Sequence, residues 1–154
     1  MHTNSIDRYV LKKKIGEGTY GTVYLAEDTE THEQVALKKV KTPPSSMDSV
    51  GIHFSTIREI SILQELNHPN VIKIHNIGLN NNQLYIAYEL MPSDLSKIIR
   101  SRSVLLTPAM IKTYISTILH TLAYLHSHFV LHRVCSSPFC TFFLFHFSIP
   151  LSRI

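Results

Sequence analysis

Three glycines at the spacing G-x-G-x-x-G are the first residues of this sequence whose pattern could do chemistry. They are Gly16, Gly18 and Gly21, and the segment 22–26 that follows them has the pattern of a strand. A dinucleotide-binding loop has the same spacing, but there the glycines open a helix. A glycine hairpin between two strands can fold over a triphosphate and offer backbone N–H groups to its oxygens. An ordinary glycine-rich hairpin is the alternative interpretation.

A lysine and a glutamate further along the chain favour the phosphate-binding interpretation. Lys38 lies on a predicted third strand, where a lysine can reach the α- and β-phosphate oxygens. Such a lysine needs an orienting carboxylate, and Glu59 on the next predicted helix is the candidate. Taken singly, Lys38 could be a solvated strand lysine, and Glu59 the third residue of a capping box that begins at Thr56. The glycines, the lysine and the glutamate together favour a nucleotide site.

The hydrophobic pattern predicts the elements that must position these groups. The predicted strands cover residues 9–15, 22–28, 34–40, 71–78 and 83–89. The predicted helices cover residues 55–66 and 93–100 and a longer segment that starts at Thr107 and Pro108. Threonine as N-cap and proline at the first helical position form a good start signal.

Two of these helices have a predicted apolar face. On the first, it consists of Ile57, Ile60, Leu63 and Leu66. On the longer one, it consists of Ile111, Ile115, Ile118, Leu122 and Leu125. Apolar helix faces are normally buried, but on the longer helix we expect the stripe Ile111, Ile115, Ile118 and Leu122 to be exposed, which would favour association.

The glycine loop GEGTYGTVY, the strand ALKK and the helix segment STIREI together resemble the protein kinase family, and more narrowly the cyclin-dependent kinases. The segments LNHPNVIKI and QLYIAYELM also match, so the resemblance covers residues 9–133. It implies an α+β fold: a five-stranded antiparallel sheet plus one helix, then a hinge and the first helices of an incomplete helical lobe. The N-lobe would cover about 9–91 and the hinge and C-lobe start 92–133, within a partial kinase domain at 1–133.

The resemblance implies roles for individual residues. Lys38 and Glu59 would form the ion pair of the active state. Tyr88 takes the gatekeeper position, where phenylalanine is more usual. Thr19 and Tyr20 match inhibitory phosphorylation sites, where added negative charge would oppose the triphosphate.

ATP would be bound by the glycine loop, by an apolar roof over the adenine and by the hinge backbone. The residues implied are Ile15, Gly16, Glu17, Gly18, Thr19, Tyr20, Gly21, Val23, Ala36, Lys38, Tyr88, Glu89, Leu90, Met91 and Asp94. Of these, the roof is formed by Ile15, Val23 and Ala36, and Asp94 would bond the ribose.

Residues 93–133 are similar to the CDK-activating kinase that associates with general transcription factor H. The resemblance implies ATP and Mg²⁺ as cofactors. It implies a cyclin as partner, bound through the helix 55–66 with Ile57 and Arg58 at the contact, and a RING-finger assembly factor. Protein substrates would be the activation loops of other kinases and the tail of RNA polymerase II.

The resemblance breaks off at the catalytic loop. The loop of the family reads H-R-D-x-x-x-x-N, whereas here His132 and Arg133 are followed by Val134. Valine cannot accept the proton of a substrate hydroxyl, and residues 134–154 contain no D-F-G aspartate or catalytic-loop asparagine to hold Mg²⁺. We therefore expect weak or absent ATP binding and no phosphoryl transfer. The alternative is a non-catalytic, cyclin-binding pseudokinase fragment.

Residues 134–154 differ in composition from the rest of the chain. They contain no Asp, Glu or Lys and five phenylalanines. Phe, Ser, Leu and Pro dominate there, and the codons for Phe and Pro, with most of those for Ser and Leu, begin with two pyrimidines. Val-Cys after Arg is also what a splice donor beginning GT would translate to. Our hypothesis is a retained intron or a misplaced end of the gene model. A buried apolar strand and a membrane-associated segment are the alternatives, and an uncharged, β-prone window of this kind is an aggregation hazard.

Charge and cysteine usage argue against other classes of function. The net charge is +4 and the basic residues are scattered, so we do not expect direct nucleic-acid binding. Cys135 and Cys140 lack the four-ligand spacing of a structural zinc site, so no metal is expected there. The sequence starts with no signal peptide and has no apolar window of about 18 residues. We expect an intracellular protein, nuclear or cytoplasmic, without a membrane partner.

Overall fold

The computed structural model describes residues 6–18, 20–41, 52, 54–93, 95–102 and 105–131. The strands are β1 (Tyr9–Gly18), β2 (Gly21–Asp28), β3 (Gln34–Val40), β4 (Ile74–Asn80) and β5 (Gln83–Glu89). The helices are α1 (Phe54–Glu65), α2 (Leu95–Arg100) and α3 (Pro108–Ser127), and a single 3-10 turn covers Ile6–Arg8. The predicted strands and helices are confirmed, with their ends shifted by a few residues at most.

The chain divides into two compact units. The first consists of residues 1–65 and 73–90 and holds all five strands and α1. The second consists of residues 66–72 and 91–154 and holds α2 and α3. No helix in the described ranges combines the length and apolar character needed to cross a bilayer.

The five strands form one antiparallel sheet in the order β1-β2-β3-β5-β4. Its register aligns residues from four neighbouring strands. Gly16 on β1 pairs with Val23 on β2, which pairs with Lys38 on β3, and Lys38 pairs with Ile86 on β5. Gly16 and Lys38 therefore lie in one row across the sheet with Val23 between them, although 22 positions separate them in the sequence.

The two faces of β3 carry different chemistry. Val35 and Leu37 are buried, and they pack with Ala87 of β5, Ala26 of β2 and Tyr9 in a hydrophobic cluster. Because successive strand residues point to opposite faces, Lys38 lies on the face away from this cluster. That face receives α1, as the contacts of Lys38 described below demonstrate.

Helix α1 turns a partly polar side inward, which corrects the predicted apolar face. Thr56 and Leu63 are its buried residues, whereas Ile57 is 49% exposed and Leu66 lies beyond the end of the helix. Glu59 stands between the two buried positions at helical spacing. Ile57, which the resemblance places at a cyclin contact, thus lies on the outward side, and the helix places a carboxylate on the side that meets the sheet.

In the second unit, α3 begins as predicted. The Thr107 hydroxyl accepts a hydrogen bond from the Met110 N–H at 3.2 Å, and Pro108 occupies the first turn. Ile111 and Ile115 are exposed, as expected, whereas Ile118 and Leu122 are half-buried. The buried residues of α3 are Leu125, which lies on the predicted apolar face, and Tyr114 and Thr121, which do not.

Tyr124 of α3 contacts the loop that follows α1. The hydroxyl of Tyr124 accepts a hydrogen bond from the backbone N–H of Asn67 at 2.8 Å, and its ring stacks on His68 with 4.7 Å between centroids. The loop after α1 is therefore held by a tyrosine, a residue that the pattern of aliphatic side chains did not include.

The two glycines at the tip of the β1–β2 hairpin, Gly18 and Gly21, are expected to differ in how well they tolerate substitution by alanine. A Cβ on Gly21 would lie 2.5 Å from the Lys39 carbonyl oxygen, whereas a Cβ on Gly18 would meet nothing within 4 Å. Because backbone cannot easily move away, Gly21→Ala is expected to lower the free energy of unfolding by about 2 kcal/mol. Gly18→Ala, the matched control, should change it by less than about 0.5 kcal/mol. Denaturant unfolding of the two variants measures this, and equal losses would contradict the hairpin geometry.

Candidate functional site

Lys38 and Glu59 form a buried ion pair that joins β3 to α1. The Lys38 side chain is 3% exposed, and its Nζ lies 3.1 Å from both carboxylate oxygens of Glu59. Burial lowers the pKa of Lys38, and the charge of Glu59 opposes that shift. The interpretation of Lys38 as a solvated strand lysine is therefore wrong. Glu59 does not act as a helix cap either, because its carboxylate is engaged with Lys38.

Tyr88 on β5 contacts the same carboxylate. Its hydroxyl donates a hydrogen bond to Oε1 of Glu59 at 2.9 Å. The side chain is 6% exposed. Burial, and then the negative charge of Glu59, raise the pKa of the Tyr88 phenol far above its ordinary value. Tyr88, which the resemblance places at the gatekeeper position, thus contributes a polar group to the pair as well as an aromatic ring.

The glycine hairpin is tied to the end of β3 by Lys41. Its Nζ donates to the Gly18 carbonyl at 3.2 Å and to Oε1 of Glu17 at 3.0 Å. Lys14 pairs with the other oxygen of Glu17. Lys14 first, then Lys41, lower the pKa of the Glu17 carboxyl to about 2. Glu17, which the resemblance placed at the nucleotide, is therefore engaged by two lysines in this structure.

The roof residues implied by the resemblance lie near Lys38 on the sheet. Val23 pairs directly with Lys38, and Ala36 is two residues before it on β3 and pairs with Tyr88. Alternation along the strand puts Val23, Ala36 and Lys38 on one face. Ile15 is on β1 and is 38% exposed.

Of the residues that the resemblance places in the hinge, Glu89 makes two hydrogen bonds with the backbone of Lys73. The Glu89 N–H donates to the Lys73 carbonyl at 3.1 Å, and its carboxylate accepts from the Lys73 N–H at 3.0 Å. Leu90 ends the first unit and Met91 belongs to the second. The predicted site residues Thr19 and Asp94, and Val134 at the position of the base, lie outside the described residues.

Helix α1 has exposed residues where the resemblance implies a cyclin contact. Phe54 is 83% exposed, and Ile57 and Arg58 are also exposed. Tyr20, the second implied phosphorylation site, is exposed, and its carbonyl accepts from the Lys41 N–H at 3.1 Å. Both sets of residues are accessible to other molecules.

The arrangement suits an anion more clearly than a metal. Lys38, fixed by Glu59, stands beside glycines in the sheet, and open space surrounds Gly18. A phosphate group would find a positive charge and a close approach to backbone there. The described part of the chain contains no cluster of three or more His, Cys, Asp or Glu side chains that could hold a metal ion.

Two contacts of the site were not predicted from the sequence. Lys41 follows β3 without any local signal, because its partners Glu17 and Gly18 lie more than 20 residues upstream. The bond between Tyr88 and Glu59 spans 29 positions. The one available signal was the tyrosine at a position where phenylalanine is more usual.

A known protein family and proteins with similar sequences were found for this chain. The family model described as "Protein kinase domain" matches residues 9–134. The chain is similar to "Cyclin-dependent kinase D-1" of Arabidopsis thaliana, with 39% identity over 127 residues, and to the protein of the same name in Oryza sativa subsp. indica, also with 39% over 127 residues. These alignments cover 82% of this chain but 31% and 29% of the relatives. The chain thus spans about a third of the length of the curated relatives it matches.

The Lys38–Glu59 pair predicts a characteristic pattern of stability changes. Lys38→Met leaves the Glu59 carboxylate, 17% exposed, without its cation, and we expect a loss of about 3 kcal/mol in the free energy of unfolding. Replacing both partners, in Lys38→Met with Glu59→Leu, should recover part of that loss because no unpaired charge remains, although the Tyr88 hydroxyl then loses its acceptor. Lys39→Met, on the opposite face of the same strand, is the control. Urea unfolding measures all of them, and a double variant no more stable than Lys38→Met would contradict a paired role.

Proposed function

The chain belongs to the protein kinase family, and on that premise we propose that it carries the ATP-binding part of a serine/threonine kinase of the cyclin-dependent type. The observation that carries the proposal is the buried Lys38, held by Glu59 at 3.1 Å from both carboxylate oxygens, in register with the glycine hairpin. In this role Lys38 bonds the phosphate oxygens of ATP, and Glu59 keeps its ammonium group oriented toward them.

Different residues of the first unit would contact different parts of ATP. The hairpin of β1 and β2 supplies backbone N–H groups, with Gly18 allowing close approach. Lys38 supplies the positive charge. Val23 and Ala36, on the same face of the sheet, supply an apolar surface for the adenine ring. When bound, ATP brings the γ-phosphoryl group, and Mg²⁺ would neutralise the charge of the phosphates.

We further propose that the chain binds ATP weakly and does not transfer its phosphoryl group. Val134 stands where the family has the aspartate that accepts the substrate proton. A valine side chain has no lone pair to accept that proton. The groups that hold Mg²⁺ in the family do not occur in residues 134–154 either, so the charge of the triphosphate would be poorly neutralised by protein-bound metal.

Assays of nucleotide binding and of phosphoryl transfer on the full chain test the proposed ATP site and the proposed inactivity. Titration with a fluorescent ATP analogue is expected to detect weak binding in wild type and in Lys39→Ala, and none in Lys38→Ala, because only Lys38 belongs to the ion pair. With radiolabelled ATP, a cyclin and a protein substrate, transfer should not exceed that of Lys38→Ala. Binding that survives Lys38→Ala would contradict the site, and transfer above that control would contradict the inactivity.

The second candidate function is a non-catalytic module that binds a cyclin through α1. Its support is the exposure of Phe54, Ile57 and Arg58 on that helix, since exposed apolar side chains beside a charged one are typical of an interaction surface. The RING-finger assembly factor stays a prediction of the resemblance.

A pull-down with a purified cyclin tests this second function. Ile57→Asp should abolish capture of the cyclin, because it puts a charge into an apolar contact. Leu79→Asp is the matched control. Leu79 is an exposed apolar residue of the same size as Ile57, but it lies on β4 and not on α1. If both variants lose capture equally, or if neither does, α1 is not the cyclin-binding surface.

A further inference from the structure

Glu59 is held by groups from two different strands of the sheet. Lys38 reaches it from β3, and the hydroxyl of Tyr88 reaches it from β5. Both bonds meet at Oε1, which lies 3.1 Å from the lysine Nζ and 2.9 Å from the tyrosine oxygen. The carboxylate therefore has two independent attachments to the sheet.

Two attachments restrict Glu59 more than one does. A glutamate side chain has three rotatable bonds, and fixing it costs conformational entropy. A hydrogen bond to a charged acceptor is stronger than one between neutral groups, and burial strengthens it further. Tyr88 is buried and Glu59 is mostly buried, so the bond between them is of this stronger kind. A phenylalanine would keep the ring and lose the bond.

We propose that Tyr88 is a positioning residue, whose hydroxyl holds the Glu59 carboxylate against Lys38 before any nucleotide is bound. The inference rests on the proposed function in one respect, namely that Lys38 is the lysine that meets the phosphates. A pair assembled in advance spares the incoming nucleotide the cost of ordering it, which is the general advantage of preorganisation.

The protonation states of the three groups are consistent with this role. The hydroxyl of Tyr88 must keep its proton to donate it, and burial together with the charge of Glu59 raises its pKa. Lys38 experiences burial, which lowers its pKa, against the charge of Glu59, which raises it. If Glu59 moved away, burial would act on Lys38 with less opposition, so the titration of Lys38 reports where Glu59 is.

Tyr85 provides a matched control on the same strand. It lies three residues before Tyr88, so alternation puts it on the opposite face of β5. There it packs against the hydrophobic cluster that includes Leu37 and Ala87. Tyr85→Phe removes a tyrosine hydroxyl from the same strand without touching the pair.

The experiment is a pH titration of Lys38 in the full chain without nucleotide. The protein is labelled with ¹³Cε-lysine, and the Lys38 signal is assigned as the one missing from Lys38→Arg. Wild type, Tyr88→Phe and Tyr85→Phe are compared by NMR over the alkaline range. Glu59→Gln, alone and combined with Tyr88→Phe, shows whether the hydroxyl acts through the carboxylate.

The proposal predicts the direction in which the titration of Lys38 changes. In Tyr88→Phe, the fraction of deprotonated Lys38 at a given pH below its midpoint should rise about threefold, because Glu59 no longer stays beside it. Tyr85→Phe should titrate as wild type does. In the Glu59→Gln background, Tyr88→Phe should have no further effect.

Three results would overturn the proposal. An unchanged titration in Tyr88→Phe would make the tyrosine a packing residue. A fall in the deprotonated fraction would mean that the hydroxyl competes with Lys38 for Oε1. An effect of Tyr88→Phe that persists in Glu59→Gln would mean that it acts by another route. Since no ATP is present, these results stand whether or not the chain binds nucleotide.

Discussion

The structure of the first unit depends on one constraint: a lysine ammonium placed inside the protein must have a carboxylate beside it. An unpaired buried charge costs several kcal/mol, and Lys38 is 3% exposed. The partner, Glu59, lies 21 positions along the chain on α1. Helix α1 must therefore turn a side that includes Glu59 to the sheet, and this explains why Ile57 stays outside while Thr56 is buried.

The same constraint connects the pair to the glycine hairpin. Strand register puts Gly16, Val23 and Lys38 in one row across the same sheet. Lys41 then connects the tip of the hairpin to the end of β3 through Gly18 and Glu17. The sheet thus holds the lysine and the glycines of the proposed site together. The kinase family of this chain is consistent with that chemistry.

The sequence predicted local features better than contacts between distant residues. Strands β3 and β5 were predicted with their observed ends because alternation and flanking polar turns mark both, and Thr107 was recognised as a cap from its own neighbours. The Lys38–Glu59 pair was expected because a phosphate-binding lysine needs an orienting carboxylate and because the resemblance implies this pair. The Lys41–Gly18 bond was missed because nothing near either residue indicates the other. The burial of Tyr114 and Thr121 on α3 was missed because the predicted apolar face counted aliphatic residues alone.

The central claim is that Lys38, paired with Glu59, is the lysine that meets the phosphates of ATP. An acyl phosphate derivative of ATP tests it most directly, since it transfers its acyl group to whichever lysine amine lies beside the bound phosphates and releases ATP. Digestion and mass spectrometry then locate the modified lysine. The account predicts that Lys38 is labelled and that excess ATP suppresses the label. Labelling spread over exposed lysines such as Lys12, Lys14 and Lys41, with no effect of ATP, would contradict it.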